Sequence, residues 1–317
     1  MRRREPNDRP TAARPSAAMT ADPPPVHRVE TWSELQESLT AEMWMPDIGR
    51  HRSPYVFRGV PDRNHALETS IKRFVGDSGE WKLESLLLRN FLQYALNEIE
   101  EPESVWHLLS IAEHYGLPTR LLDWSFSPLV ATYFAVRDGD AARDGAIWAV
   151  DYRKLHERLP DPYRRVLERT PTDVLDVHLL SNATLESDAA NAADAAPDPA
   201  RNLDDVARLD DLWRERWSVD ADAAPDDQYV LFFRPPAIDD RIANQSAVFS
   251  FQSDPRLALD EWLAERPDCY RKIVVPGDLK LEFRDKLDQM NVNHRTLFPG
   301  LEGLTTWLKQ YYRPTTD

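Results

Sequence analysis

Polar side chains that could do chemistry are concentrated in the stretch from His114 to Pro128, between two predicted helices. The stretch combines His, Thr, Arg, Asp, Trp and Ser side chains. Two interpretations are open. The link is a functional site, or it is a buried connection in which Arg120 and Asp123 satisfy each other and the backbone. Residue chemistry alone does not separate the two, because polar groups at sites and at buried corners look alike.

A second candidate is the triplet Phe57-Arg58-Gly59. Tyr55 to Arg58 predicts a short strand that ends at Gly59, which places a guanidinium at the rim of a sheet. A guanidinium in that position suits bidentate recognition of a carboxylate or phosphate, and the glycine would let the backbone approach a ligand. The structural alternative is a pair between Arg58 and an acidic residue such as Asp123 or Glu113.

A third candidate is Gln245, which directly precedes an alternating, half-buried strand predicted at 246–251. Its amide could hydrogen-bond a ribose or another amide, or it could be a solvated loop residue. A predicted loop after Pro61 adds Glu68, Thr69, Ser70 and Arg73.

Several familiar site patterns are absent from the sequence. The eight histidines are scattered, and His107 and His114 lie two helical turns apart, too far to share one ion, so no metal site is predicted. Phosphate-binding glycine loops and the GxSxG elbow do not occur. Cys269 has no base or motif beside it, which indicates an inert thiol.

The candidate residues are positioned by recognisable helix ends. Apolar spacing predicts a helix that ends at Tyr115, closed by Gly116 and Pro118. The link then fits a short strand over 119–123, and Ser127-Pro128 starts the next helix. Further helices are predicted at about 31–43, from residue 80 onward, twice within 152–181, and at 278–289 and 301–312. Further strands are predicted at 146–150, 228–233 and 271–275. Without regular alternation of strands and helices, this order predicts an α+β fold with small split or antiparallel sheets flanked by helices.

Length and composition limit the kinds of protein and of partner that the chain is compatible with. The chain has 317 residues, ten tryptophans, 42% hydrophobic residues and a net charge of −15, which predicts a globular protein of one large domain or two modest ones. The order of its segments favours one domain over 28–317. Residues 1–27 read as a disordered tail, and about 183–227 as an acidic, low-complexity insertion with at most a short helix near Trp213 and Trp217. The negative net charge disfavours nonspecific binding to nucleic acids and to anionic membrane surfaces. With no membrane-spanning run and no signal peptide, a cytoplasmic location is expected.

Together these segments resemble the FRG domain family, named for its Phe/Tyr-Arg-Gly motif. The similarity runs over about residues 30–310 and is most specific at 114–124. Its other parts are 57–59, 68–74, 144–149, Arg241-Ile242 with Gln245, and 297–304. A glycine frequent after the glutamine is replaced by Ser246-Ala247. The family implies no settled activity.

The order of the segments is also similar to ADP-ribosyltransferases, which implies a related fold and NAD as a cofactor. By that resemblance, Arg58 would hold the NAD phosphates or the nicotinamide ribose, and Gln245 would occupy the catalytic carboxylate position. Because glutamine is neutral, Asp123 or Glu113 would have to supply the charge that stabilises an oxocarbenium ion. The candidate catalytic residues are thus Arg58, Asp123, Gln245 and His114, and the candidate ligand-binding residues are Gly59, Ser70, Arg73, Thr119, Arg120, Trp124, Ser125, Ser127 and Tyr133.

Three functions compete at this point. The first is an NAD-using, ADP-ribosyltransferase-like enzyme of a bacterial toxin or defence system, acting on a protein target. The second is a non-enzymatic module that binds an anionic small molecule, a nucleotide or a protein tail through Arg58 and Arg120. The third is a hydrolase or nuclease in which His114 is the general base and Asp123 orients it.

Overall fold

An eight-stranded mixed sheet forms the centre of the protein in the computed structural model, which describes residues 25–76, 79, 81–95, 97–191 and 228–313. Its strands are β1 (Val26–Arg28), β4 (Tyr55–Val60), β5 (Leu121–Ser125), β6 (Gly145–Asp151), β7 (Leu175–Asp176), β8 (Val230–Arg234), β9 (Ala247–Gln252) and β10 (Tyr270–Val275). They follow the order β1-β10-β6-β4-β5-β9-β8-β7. The two outermost pairs are parallel and the others antiparallel. A separate hairpin joins β2 (Trp44–Met45) to β3 (Arg50–His51).

Thirteen α-helices accompany the sheet within the described residues. They are α1 (Trp32–Thr40), α2 (Ser70–Val75), α3 (Leu83–Ala95), α4 (Val105–His114), α5 (Pro128–Val136), α6 (Tyr152–His156), α7 (Asp161–Arg169), α8 (Val177–Asn191), α9 (Asp240–Asn244), α10 (Leu259–Ala264), α11 (Lys280–Gln289), α12 (His294–Leu297) and α13 (Leu301–Tyr311). The predicted α+β class is confirmed, although the strands form one large mixed sheet besides the hairpin.

The predicted boundaries around the link are also confirmed. Gly116 follows α4 with φ +81°, the left-handed conformation that closes a helix. The backbone N–H of Val130 donates to Ser127 Oγ at 3.4 Å, which caps α5, and Pro128 is its first residue. The strand predicted at 119–123 is shifted by two residues, because Thr119 is used to anchor α2.

Some segments differ from the prediction or lie beyond the description. Val26–Arg28 pairs with β10, so ordered structure begins inside the predicted tail, and 70–75 is a helix where a loop was expected. Helix α8 extends into the first residues of the predicted insertion. Residues 1–24 and 192–227, including Trp213 and Trp217, lie outside the described residues.

Two separate groups of helices cover one face of the sheet. Phe57 pairs with Ser125, so Phe57, Ser125 and Asp123 project from the same face. On β4, β6 and β10 this face packs against α1, α5 and α11. On β8 and β9 it packs against α3, α4 and α8, with Phe249, the partner of Asp123, in that cluster. Asp123 on β5 therefore lies where the two helix groups meet. The opposite face carries Trp124 and Trp148 and is covered by α6 and α10.

Two glycines let α5 lie directly on the sheet. A Cβ at Gly59 would stand 1.8 Å from the Ala131 carbonyl oxygen and 2.7 Å from the Ala135 nitrogen. A Cβ at Gly145, on the neighbouring strand, would stand 2.4 Å from the Ala135 carbonyl oxygen. The conflicting atoms belong to helix backbone, so they cannot rotate away. The glycine of the Phe-Arg-Gly triplet is thus required for helix packing.

Gly59→Ala should therefore lower the free energy of unfolding by about 3 kcal/mol, the upper part of the usual range for overpacking. Urea denaturation would measure it. Gly116→Ala is the comparison, because its Cβ would meet nothing within 4 Å. Its positive φ alone should cost about 1 to 2 kcal/mol. A smaller loss for Gly59→Ala than for Gly116→Ala would contradict the packing argument.

Candidate functional site

The sheet opens between β4 and β5. Only Phe57 and Ser125 pair across these two strands, whereas β4 pairs with β6 at six positions. Where the ladder would continue, the Arg58 guanidinium donates to the carbonyl oxygen of Asp123. Within the described residues, Arg58 Nε is buried and has no hydrogen-bond partner. Arg58 therefore replaces part of the ladder and keeps one donor uncommitted.

Asp123 is an exposed residue in the middle of a buried strand. Its neighbours Leu122 and Trp124 are 2% and 3% exposed. In the part of the chain that the structure describes, the Asp123 carboxylate takes part in no hydrogen bond or ion pair, although its backbone carbonyl accepts from Arg58. The Asp123 carboxylate lies at the junction of two helix groups. Because it makes none of these bonds, it is available to bind a ligand.

Glu113, in the last turn of α4, contributes a second carboxyl group. Thr119 Oγ1 donates to Glu113 Oε2 at 2.5 Å, and Ser70 Oγ lies 3.5 Å from the same oxygen. Burial raises the pKa of Glu113 to about 8, and the charge of Asp123 adds to the effect. The Thr119 hydrogen bond, Arg58 and Arg73 oppose it. At neutral pH Glu113 is therefore mostly protonated and uncharged.

Two further arginines and two carboxyl groups are grouped around Arg58. Burial lowers the pKa of Arg58 below its ordinary value; Asp123 and Glu113 oppose this, while Arg73 and Arg137 lower it further. A guanidinium remains protonated even so. Arg73 and Arg137 are exposed, on α2 and just after α5. We refer to Arg58, Arg73, Glu113, Asp123 and Arg137 as the central polar cluster, in which guanidinium groups outnumber charged carboxylates at neutral pH.

Ser70 and Thr119 fix α2 to the link, and so place Arg73. The Thr119 N–H donates to Ser70 Oγ at 2.9 Å, and Ser70 Oγ donates to the Thr119 carbonyl at 3.1 Å. The Ile71 N–H also donates to that carbonyl, at 3.0 Å. Arg73 in turn donates to the backbone carbonyl of Glu68. The predicted residues Ser70 and Thr119 thus lie beside the cluster as supports.

His114 pairs with a residue that the sequence did not single out. Its Nε2 lies 2.9 Å from Oδ2 of Asp239, which also caps α9 by accepting from the Ile242 N–H. The carboxylate that orients His114 is therefore Asp239, not the predicted Asp123. This pair ties the end of α4 to the start of α9.

Arg120 is enclosed and engaged in a structural ion pair. Its Nε donates to Glu84 Oε2 at 2.7 Å, its backbone N–H donates to Glu84 Oε1 at 2.7 Å, and its guanidinium also reaches the Ser253 carbonyl. Both Arg120 and Glu84 are 0% exposed. The alternative of an Arg120–Asp123 pair is wrong, because the partner is Glu84. A ligand cannot reach Arg120 in this arrangement.

The remaining predicted residues hold structure together in other places. Trp124 Nε1 donates to Ser250 Oγ at 2.9 Å, and Ser125 Oγ donates to the Gln245 carbonyl at 2.6 Å. Gln245 Nε2 donates to the Leu297 carbonyl at 3.0 Å, so its amide connects α9 to α12. Tyr133 is 1% exposed and its hydroxyl lies 2.9 Å from His294 Nδ1.

Sequence reasoning considered Glu113 as an ion-pair partner of Arg58 and as a substitute charge, and it missed Arg137, Asp239 and Glu84. Glu113 was open to notice because it precedes His114 on the helical turn that enters the polar link. The others become neighbours only through the order of the strands.

With this geometry established, comparison with known families gives one match. The FRG domain model matches residues 53–144. This chain contains an FRG domain. The FRG segment runs from just before β4 to just before β6 and includes every member of the central polar cluster. It does not reach Asp239 or Gln245, so the similarity expected over about 30–310 is supported over this narrower range.

Comparisons of the whole chain with curated proteins and with solved structures gave no significant match. They give no support to the expected similarity to ADP-ribosyltransferases. Among the described residues, no group of three or more His, Cys, Asp or Glu side chains is arranged to hold a metal ion. None of the described helices has the length and apolar character needed to cross a membrane.

Proposed function

We propose that the central polar cluster of the FRG domain binds an anionic nucleotide and cleaves its glycosidic bond, with NAD as the first candidate substrate. One observation carries the proposal: the exposed Asp123 carboxylate has no hydrogen-bond or ion-pair partner among the described residues, and the Asp123 carbonyl is bonded to Arg58, which interacts electrostatically with Arg73 and Arg137. Arginines bind phosphate oxygens, and a free carboxylate can stabilise the positive charge that develops on a ribose.

The charge balance supports an anionic ligand. Arg58, Arg73 and Arg137 are positive, and Glu113 is neutral at pH 7 because its pKa is raised to about 8. A protonated Glu113 adds no repulsion against phosphates and can donate a hydrogen bond. The uncommitted Nε of Arg58 is a further donor.

The chemistry assigned to Asp123 is electrostatic. The bond between ribose C1′ and the nicotinamide nitrogen breaks, and its electron pair stays on that nitrogen, so nicotinamide leaves neutral and needs no proton. Positive charge develops at C1′ and is stabilised by the Asp123 carboxylate. Water or an acceptor hydroxyl then bonds to C1′ and releases its proton to solvent. Gln245 has no part in this scheme, since its amide is bonded to the Leu297 carbonyl.

Asp123→Asn should reduce nicotinamide release by about 100-fold or more while NAD still binds, because the amide keeps the shape and loses the charge. Release would be measured chromatographically, and transfer with NAD labelled in its adenylate half. Arg73→Gln should instead weaken NAD binding, measured by calorimetry. Both side chains are exposed, so the variants should remain folded.

Matched controls are Asp47→Asn, an exposed carboxylate next to β2, and Arg165→Gln, an exposed arginine on α7. Neither should change binding or release. Failure of the wild-type protein to bind NAD or release nicotinamide would reject NAD as substrate. Binding without turnover would reject the enzyme and leave the non-enzymatic nucleotide module.

A further inference from the structure

A largely apolar groove of about 550 Å³ lies along the outer side of α3. Its apolar wall is formed by Leu87, Phe91, Tyr94, Ile99, Tyr115 and Leu117. Tyr94 and Tyr115 are 81% and 60% exposed. Exposed aromatic side chains grouped around a groove are typical of protein interaction sites.

Helix α3 is apolar on two sides. Leu88 and Leu92 point inward and are 0% and 9% exposed. Leu87, Phe91 and Tyr94 lie on the outer side at steps of four and three residues, the spacing of a ridge against which another helix packs. Phe91 also packs partly against the core, whereas Tyr94 is 81% exposed, so the outer row keeps apolar surface that a partner could cover.

The end of the groove is acidic. Glu98 lines it, and Glu100 and Glu101 follow in the segment that leads to α4. All three are exposed, and none of them forms an ion pair within the described part of the chain. These carboxylates would repel a partner that carries acidic side chains at this end of the groove. Charge complementarity therefore selects a basic partner.

We infer that this groove binds a basic amphipathic helix of another protein, with its apolar face on Leu87, Phe91 and Tyr94 and its Lys or Arg side chains toward Glu98, Glu100 and Glu101. The inference is independent of the proposed function, because the groove shares no residue with the central polar cluster.

The test uses the full-length protein and a fluorescent peptide of about 18 residues, with leucines at helical spacing on one face and lysines on the other. Such a helix is longer than the 13 residues of α3 against which it would lie. Fluorescence anisotropy should show saturable binding that weakens with added salt. Tyr94→Asp and Glu98→Lys should each weaken it by about tenfold or more, since both remove contacts that the partner requires. Tyr312→Asp, at a residue 72% exposed just after α13, should have no effect.

Two further peptides complete the test, one with glutamates in place of the lysines and one with the original composition scrambled. Equal binding of either peptide, or unchanged binding to Tyr94→Asp, would overturn the inference. So would a wild-type dimer in light scattering that Tyr94→Asp converts to monomer, because the occupant would then be a second copy.

Discussion

Replacing Glu84 by Gln is expected to lower the free energy of unfolding by about 3 to 5 kcal/mol, the usual cost of removing one member of a buried ion pair. Glu84 and Arg120 are both 0% exposed, and two hydrogen bonds of 2.7 Å join them. The glutamine could keep a hydrogen bond but not the negative charge. The loss would be measured by urea denaturation.

An exposed pair provides the control. Lys286 and Glu282 form an ion pair on α11 with side chains 41% and 51% exposed, so Glu282→Gln should cost less than about 1 kcal/mol. The double replacement Glu84→Leu with Arg120→Met should recover most of the stability, because it removes both buried charges. Similar losses for Glu84→Gln and Glu282→Gln would show that Arg120 is not a buried structural cation.

The stability of the Glu113→Gln variant relative to wild type is expected to increase as the pH rises. In the folded state the pKa of Glu113 is raised from 4.5 to about 8, mainly by burial, whereas an unfolded chain ionises near 4.5. The protonated form thus favours folding fully below pH 4.5, and this contribution is lost as the pH rises to about 8. Glutamine does not titrate, so the stability of the variant relative to wild type should grow over this interval by on the order of 5 kcal/mol and level off above it.

Denaturation of both proteins at pH 4.5, 6, 7 and 8.5 would measure this difference, with other titrating groups cancelling in the comparison. NAD binding by the wild type should weaken above pH 8, where a charged Glu113 repels the phosphates, and Glu113→Gln should bind equally on both sides of pH 8. A stability difference that does not change with pH would mean that Glu113 is ionised in the folded state. A loss of NAD binding in Glu113→Gln would contradict the role of a neutral hydrogen-bonding group.

The sequence predicted local features well because their causes lie within a few residues. Ser127 caps α5 and Gly116 closes α4 through contacts with the adjacent turn, and apolar spacing alone located the long helices. The FRG triplet was also recognised, and Arg58 does point to the link, reaching the backbone carbonyl of Asp123.

The partners of the polar residues could not be predicted in the same way. Arg120 pairs with Glu84 and His114 with Asp239, which are distant along the chain and become neighbours only through the strand order and the placement of α3 and α9. Gln245 also has a partner that is distant along the chain. Its position before a strand suggested a ligand contact, whereas its amide is bonded to the carbonyl of Leu297 on another helix.

The three residues of β1 cover part of an edge of the sheet. They pair in parallel with Lys272, Ile273 and Val274 and thereby cover the outer border of β10. A chain shortened past Arg28 would present those backbone amide and carbonyl groups to solvent, where they could recruit a strand from a neighbouring molecule. This short segment therefore protects the protein against edge-to-edge aggregation.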